Sequence, residues 1–143
     1  MESELINRAK AYAEEVFKDR AFEKRSFHNL SHTRDVVKAA EEISLQTELS
    51  ESETESAVIA AWLHDIGYVE GANDHERKAA EKAKALLTDW GASHKKIMEV
   101  TDAIVATRMP QQPRSLVSKV ICDADLYHLD TEQCEEKSAK LRQ

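Results

Sequence analysis

The chain has 143 residues, a length that suits one domain with a real hydrophobic core. Its net charge of -7 speaks against a protein that binds nucleic-acid polymers, since such binding needs a basic face. No apolar run approaches the about 18 residues of a membrane span, and the acidic N-terminus has no apolar run behind it that would form a signal peptide. Two cysteines, Cys122 and Cys134, are too few for a disulfide framework, so we expect reduced thiols in a cytoplasmic protein.

The first half of the chain predicts three helices. Apolar residues at helical spacing predict a helix from residue 2 or 3 to residue 20, followed by a loop over residues 21–30. Ser31 is the expected N-cap of a second helix, which ends near residue 47. Ser50 and Glu53 have the spacing of a capping box, which opens a third helix. That helix becomes apolar on nearly all sides, so we expect it to be the most buried helix of the domain.

The second half predicts the remaining helices. Residues 75–90 form a fourth helix that Gly91 ends, and Ser93 caps a fifth helix. Prolines at 110 and 113 then break the chain. A short helical piece over residues 115–121 precedes a last helix that starts at residues 123–125, where two acids suit the positive end of the helix dipole.

These elements define the predicted fold class. Only 3 glycines and 2 prolines interrupt the chain, and no strand alternation or internal repeat is found. The sequence therefore predicts one all-α domain over residues 1–143, a bundle of about six or seven helices. Residues 132–143 are charged and helical without a stop signal, a pattern compatible with a domain that continues further.

The most informative stretch is AWLHDIGY, residues 61–68, in which the apolar third helix ends in His64 and Asp65. Imidazole nitrogen and carboxylate oxygen are first-choice ligands for divalent metals of the Zn, Mn or Fe type. A charged pair on a buried helix is unfavourable unless a partner or a cation compensates it. We expect Gly67 to end the helix in a left-handed conformation, so that the two side chains converge on one point. Since a surface His-Asp pair also occurs by chance, further ligands are needed.

Two other segments supply such ligands. His28 and His32 lie four residues apart around the start of the second helix. Asp123 and Asp125 lie at the predicted start of the last helix, about 200° apart around it, so only one of them can face His64 easily. Metal sites in helix bundles are built in this way, from side chains on facing helices.

The order of these motifs resembles the HD-domain metal-dependent phosphohydrolases, an all-helical family with the pattern His, then His-Asp, then Asp. The resemblance covers residues 27–129 and assigns the metal-ligand positions to His32, His64, Asp65 and Asp125. It implies one divalent ion, either Mn, Mg, Fe, Co, Zn or Ni, and leaves a second ion open. FHNLSHTRDV also resembles the opening motif of the helical cyclic-nucleotide phosphodiesterases, in which the histidine four positions before the first ligand donates a proton. That residue is His28 here.

The expected chemistry follows from such a site. A bound divalent ion lowers the pKa of its water and polarises a phosphoryl oxygen, and a positioned acid protonates the leaving oxygen. Asp65 would ligate the metal and orient the water. His28 is the candidate acid, and the alternative is a loop histidine that caps the second helix.

A phosphorylated substrate also needs positive charge. The candidates are Arg34, Arg77 and Arg108, each of which is otherwise a solvated surface arginine, and His75, which would contact phosphate or a second metal. Thr107 stands where many relatives carry a further histidine, which speaks against a second metal.

The leading hypothesis is a metal-dependent phosphohydrolase that acts on a nucleotide or another small phosphoester. The alternatives are an HD-type di-iron oxygenase and a non-catalytic helical module that binds a nucleotide or a metal. The expected partner is a small phosphorylated molecule, with no polymeric nucleic acid and no membrane, and a homodimer is compatible with the sequence.

Overall fold

The computed structural model describes residues 3–18, 24–67, 75–107 and 115–132, with side chains over residues 3–18, 30–67, 76–107 and 115–125. This part of the chain forms six α-helices and no strand, which confirms the predicted all-α class. No helix in it combines the length and hydropathy needed to cross a bilayer. In chain order the helices are α1 (Glu4–Lys18), α2 (Lys24–Gln46), α3 (Glu51–Leu63), α4 (His75–Asp89), α5 (His94–Ala106) and α6 (Leu116–Glu132).

Helix α3 is the central element of the bundle. It contacts each of the other five helices, and all its residues from 56 to 63 are buried. Its N-terminus has the predicted capping box, in which the Ser50 side chain accepts from the Glu53 N–H at 3.1 Å and the Glu53 carboxylate accepts from the Ser50 N–H at 2.9 Å. Because α3 offers apolar surface in every direction, the other helices surround it.

The outer helices pack by their apolar faces. Helix α1 buries Ile6, Ala9, Ala13 and Phe17, which recur at helical spacing, and it contacts α2 and α3. Helix α2 packs along α6, and α4 packs along α5. Helices α2, α3 and α6 thereby contact one another in pairs, which brings three distant parts of the sequence together.

Two predicted helix starts are wrong. Helix α2 begins at Lys24, so Ser31 lies inside a helix and the predicted loop over 21–30 is helical from residue 24 onward. Helix α6 is continuous from Leu116, so Asp123 is an interior residue and not an N-cap. No glycine or proline interrupts either stretch. A favourable cap residue or an acidic pair contributes only about 1 kcal/mol, too little to start a helix where its neighbours continue one.

The end of α3 also differs from its prediction. The helix ends at Leu63, and the C-cap His64 keeps a right-handed conformation with φ -65° and ψ -28°. The chain continues through a tight turn that becomes 3₁₀ at residues 66–67, so Gly67 lies beyond the helix end. Among the described residues, the left-handed glycine is Gly91, with φ 79°, which follows α4 as predicted.

Candidate metal centre

Three helices position the predicted ligand residues. His64 and Asp65 lie in the turn directly after α3, at the centre of the bundle. His32 is on α2 and Asp125 is on α6, and these two helices pack against each other and against α3. The residues that the sequence pattern selected are therefore neighbours in the fold.

The nitrogen and oxygen atoms of these four side chains converge. His32 Nε2 lies 3.0 Å from Asp125 Oδ1 and 3.6 Å from Asp65 Oδ2. His64 Nε2 lies 3.3 Å from Asp65 Oδ2 and 3.7 Å from Asp125 Oδ1. One ligand atom each from His32, His64 and Asp125 lies within 4.8 Å of the others. Metal bonds of about 2.0–2.2 Å place ligand atoms about 3.0–4.4 Å apart, so the cluster has the dimensions of a site for one ion.

The orientation of His64 is that of a metal ligand. Its Nδ1 lies 2.7 Å from the backbone oxygen of Ala61, and Nδ1–H must be the donor because a carbonyl only accepts. Metal-binding histidines are commonly fixed in this way, with the other ring nitrogen left for the ion. Nε2 of His64 is buried and has no hydrogen-bond partner, although it faces two carboxylates. A buried polar atom without a partner is unfavourable, and a divalent ion in the cluster would satisfy it.

The electrostatics of the cluster favour a cation. Burial opposes a charge on His64, but the carboxylates of Asp65 and Asp125 outweigh it and raise the pKa of His64 to about 9. Burial alone would likewise raise the pKa of Asp125, yet His32 and then His64 hold the pKa of that carboxyl well below its usual range. The two carboxylates thus attract positive charge at this point, whether it is a proton or a metal ion.

The cluster is closed on one side and open on the other. The side chains of His64 and Asp65 are 2% and 8% exposed, whereas those of His32 and Asp125 are 23% and 19% exposed. Access is therefore from the side of α2 and α6. A catalytic metal site differs from a structural one in keeping such an open position for water or substrate.

The structure separates the two candidate aspartates on α6. Asp125 faces the cluster, while Asp123, two positions earlier, is exposed. Helix α6 also makes a contact with α5 that no sequence pattern predicted. Cys122, a buried residue three positions before Asp125, donates its thiol to the backbone oxygen of Ala106 at 3.2 Å. Burial, and then Asp125 and Asp123, raise the pKa of this thiol to about 11, so it stays protonated.

Two of the three arginines predicted to bind substrate lie beside glutamates. Arg34 Nη2 lies 3.0 Å from Glu14 Oε2, so this residue connects α2 to α1. Position 34 is about 200° around the helix from His32, which explains why it faces away from the cluster. Arg77 is exposed and lies 3.9 Å from Glu81, one turn later on α4. Neither pairing brings a guanidinium group to the cluster.

The other predicted site residues lie partly or wholly outside the described part of the chain. His28 is in α2, one turn before His32, and not in a loop as predicted, but its side chain is not among those described. The same holds for the side chain of His75, and for Arg108 as a whole. Thr107 is buried as the C-cap of α5, and its hydroxyl donates to the Ile104 oxygen at 2.6 Å.

Comparison with known proteins gives two similarities. The family model of the HD domain matches residues 29–130. A crystal structure of a predicted HD superfamily hydrolase from an uncultured Thermotogales bacterium is 32% identical in sequence and superposes with a TM-score of 0.73. That match covers 86% of this chain and 67% of the other. No curated protein matches the sequence.

Proposed function

This chain belongs to the HD-domain family, and from that premise we propose that it is a metal-dependent phosphohydrolase of a nucleotide or another small phosphoester. Hydrolase activity of the general HD type is supported by the family and by the similar structure, which is that of a predicted HD superfamily hydrolase. The observation that carries the proposal is the cluster itself, in which the buried Nε2 of His64 lies 3.3 Å from an Asp65 oxygen and 3.7 Å from an Asp125 oxygen. Phosphoester chemistry and the substrate class are the parts that go beyond the family.

The proposed ligands are His32, His64 and Asp125, with Asp65 as the fourth. When bound, a divalent ion supplies a water of lowered pKa and a Lewis acid for a phosphoryl oxygen. Asp65 would also orient the reacting water, because its carboxylate adjoins the Nε2 atoms of both histidines. The Ala61 oxygen orients the imidazole of His64, because its bond to Nδ1–H leaves Nε2 for the ion.

The proposed acid is His28. It precedes His32 by four residues on the same helix, and side chains at that spacing share one helix face. A histidine there would lie on the α2 side, where the cluster is open, and would protonate the leaving oxygen of a bound phosphoester.

The proposed substrate is small. The exposed edge of the cluster consists of two side chains that are each about one-fifth exposed, which suits a phosphate group better than the backbone of a polymer. The net charge of -7 also favours a small substrate, since binding of long nucleic acids requires a basic surface. His75 and Arg108 are the proposed phosphate contacts, because Arg34 pairs with Glu14 on α1 and Arg77 is exposed beside Glu81.

The test is metal analysis followed by a hydrolysis screen over nucleotides and small phosphoesters. Asp65→Ala and Asp125→Ala are expected to reduce the rate by at least about 100-fold, because even outer partners of metal ligands contribute 10–100-fold. Asp123→Ala is the matched control, since Asp123 is an exposed aspartate on the same helix and should leave the rate unchanged. Equal rates in wild type and Asp65→Ala would contradict the proposal.

The same experiment separates the alternatives. Among the described residues, metal-ligating side chains gather in one group, a finding that suits one ion per chain. Two irons per chain would instead favour the di-iron oxygenase. A bound metal without hydrolysis of any phosphoester would favour a binding module.

A further inference from the structure

Helix α5 packs against two of the helices that position the metal centre, yet none of the four clustered side chains comes from it. It contacts α3, which ends at His64, and α6, which carries Asp125. Among the described residues, polar contacts connect α5 to these helices at two places, one near its start and one at its end. Neither contact has a role in the proposed chemistry.

The first contact is a buried network around Lys96 in the first turn of α5. Lys96 is 7% exposed, and its ammonium lies 3.0 Å from Glu55 Oε1, 2.8 Å from Ser56 Oγ and 3.0 Å from Ser52 Oγ, with the Ser52 carbonyl at 2.5 Å. Glu99, one turn further along α5, accepts from the Ser56 hydroxyl at 2.8 Å. Because an ammonium has three donors, these acceptors use all of them. The ammonium therefore has no donor left for a ligand, and the network is a connection between α3 and α5.

Such a connection has a physical reason in the composition of α3. Apart from Ser56, its buried residues, from 57 to 63, are all apolar, and apolar contacts are non-directional. Directional polar contacts can fix the register of one helix along another, which apolar packing alone leaves free. Fixing register is the best-attested role of buried charged groups. Ser56 precedes His64 by eight residues, about 12 Å along the helix axis, so a shift of α3 at the network moves the ligands equally.

The second contact is the thiol of Cys122 on the Ala106 oxygen. Ala106 is the last residue of α5, and the final carbonyls of a helix have no partner within the helix. Cys122 lies three residues before Asp125, so the two side chains share one side of α6. The hydrogen bond from Cys122 to Ala106 fixes α6 against the end of α5. It lies within one helical turn of the ligand Asp125.

We propose that α5 sets the separation between the ligands of α3 and the ligand of α6, with Lys96 and Cys122 as positioning residues. This inference rests on the proposed metal centre. Metal sites require their ligands within a few tenths of an ångström of the preferred distances. Loss of either contact lets one ligand-bearing helix shift relative to the other, which weakens metal binding while the four ligands stay unchanged.

The experiment is a titration of the metal-free chain with Co²⁺, followed by visible absorption, which reports both affinity and coordination geometry. Lys96→Met and Cys122→Ala are each expected to raise the Kd for Co²⁺ about tenfold, the lower end of the effect of outer partners in metal sites. Both are also expected to change the absorption band of the bound ion. Lys95→Met is the matched control, because Lys95 is the exposed neighbour of Lys96 and should bind Co²⁺ as wild type does.

Two further variants keep the test decisive. Ser56→Ala removes one contact of Lys96, and alanine is well tolerated in a helix. If Lys96→Met folds poorly, Ser56→Ala takes its place in the test and should also weaken Co²⁺ binding. Cys122→Ser retains a donor towards Ala106 and should restore most of the affinity that Cys122→Ala loses.

The inference would be overturned if Cys122→Ala and a folded variant of the network, either Lys96→Met or Ser56→Ala, bound Co²⁺ with the affinity and spectrum of wild type. That result would leave the proposed function intact. A wild-type chain that binds no Co²⁺ would overturn both.

Discussion

At the scale of single residues, His64 is the most buried member of the cluster. Its Nδ1–H is fixed by the Ala61 oxygen, and its Nε2 faces the carboxylates of Asp65 and Asp125. Burial penalises the imidazolium, but the carboxylates outweigh this and raise its pKa to about 9. In the metal-free chain a proton on Nε2 therefore supplies the positive charge that an ion would supply in the loaded protein.

The raised pKa makes the stability of the metal-free chain depend on pH. The pKa of His64 is about 9 in the folded state against an ordinary value of 6.5, so its contribution is fully present below about pH 6.5. That contribution is lost as the pH rises through about 9. We expect the free energy of unfolding, measured with urea and a chelator, to decrease between pH 6.5 and pH 9.5. His64→Gln should lack this decrease, and the same decrease in both proteins would contradict the assignment.

The individual ligand positions could be predicted because few residue types have the required chemistry. The resemblance to the HD-domain pattern selected His32, His64 and Asp65, and the structure places them together. The choice between Asp123 and Asp125 needed the phase of α6, which the spacing alone left open. The partner of Arg34 could not be predicted, since Glu14 reaches it only through the packing of α1 on α2.

At the scale of elements, sequence patterns located the helices better than their ends. The capping box of α3 was predictable because Ser50 and Glu53 satisfy each other locally, whatever the rest of the chain does. The starts of α2 and α6 were not predictable, because Ser31 and Asp123 lie inside helices that begin earlier and neither residue interrupts a helix. A residue that can cap a helix does so only where the backbone before it leaves the helical conformation.

The two serines provide a matched test of this reading. Ser50→Ala is expected to lower the free energy of unfolding by about 1 kcal/mol, because it removes the acceptor for the Glu53 N–H at the start of α3. Ser31→Ala should leave stability unchanged or raise it slightly, because Ser31 is an exposed residue inside α2 and alanine favours helix. Urea unfolding of both variants measures the difference. An equal decrease in the free energy of unfolding for both variants would mean that Ser31 caps a helix.

At the scale of the whole molecule, the fold gathers a site that no local segment contains. His32 and Asp125 are 93 positions apart in sequence and 3.0 Å apart in space. An ion held by these residues and by His64 would join α2, the end of α3 and α6, the three helices that pack in pairs around the centre of the bundle. The unfolded chain has no such arrangement, so metal binding and folding are coupled.

This coupling predicts that metal stabilises the whole chain. A ligand that binds only the folded state contributes about 2.7 kcal/mol at 100 times its Kd, which raises the Tm of a domain of this size by roughly 5–10 °C. We expect Mn²⁺ or Co²⁺ to raise the Tm with increasing concentration, and a chelator to reverse the effect. Thermal unfolding followed by circular dichroism measures it.

The controls locate the ion that causes the shift. Asp123→Ala should respond to metal as wild type does, because Asp123 is exposed and faces away from the cluster. His64→Ala should lose the response, because it removes the one ligand that is fully buried between both carboxylates. With 27 acidic residues in the chain, a cation could also associate with the surface. A shift of equal size in His64→Ala would assign the effect to that surface and not to the cluster.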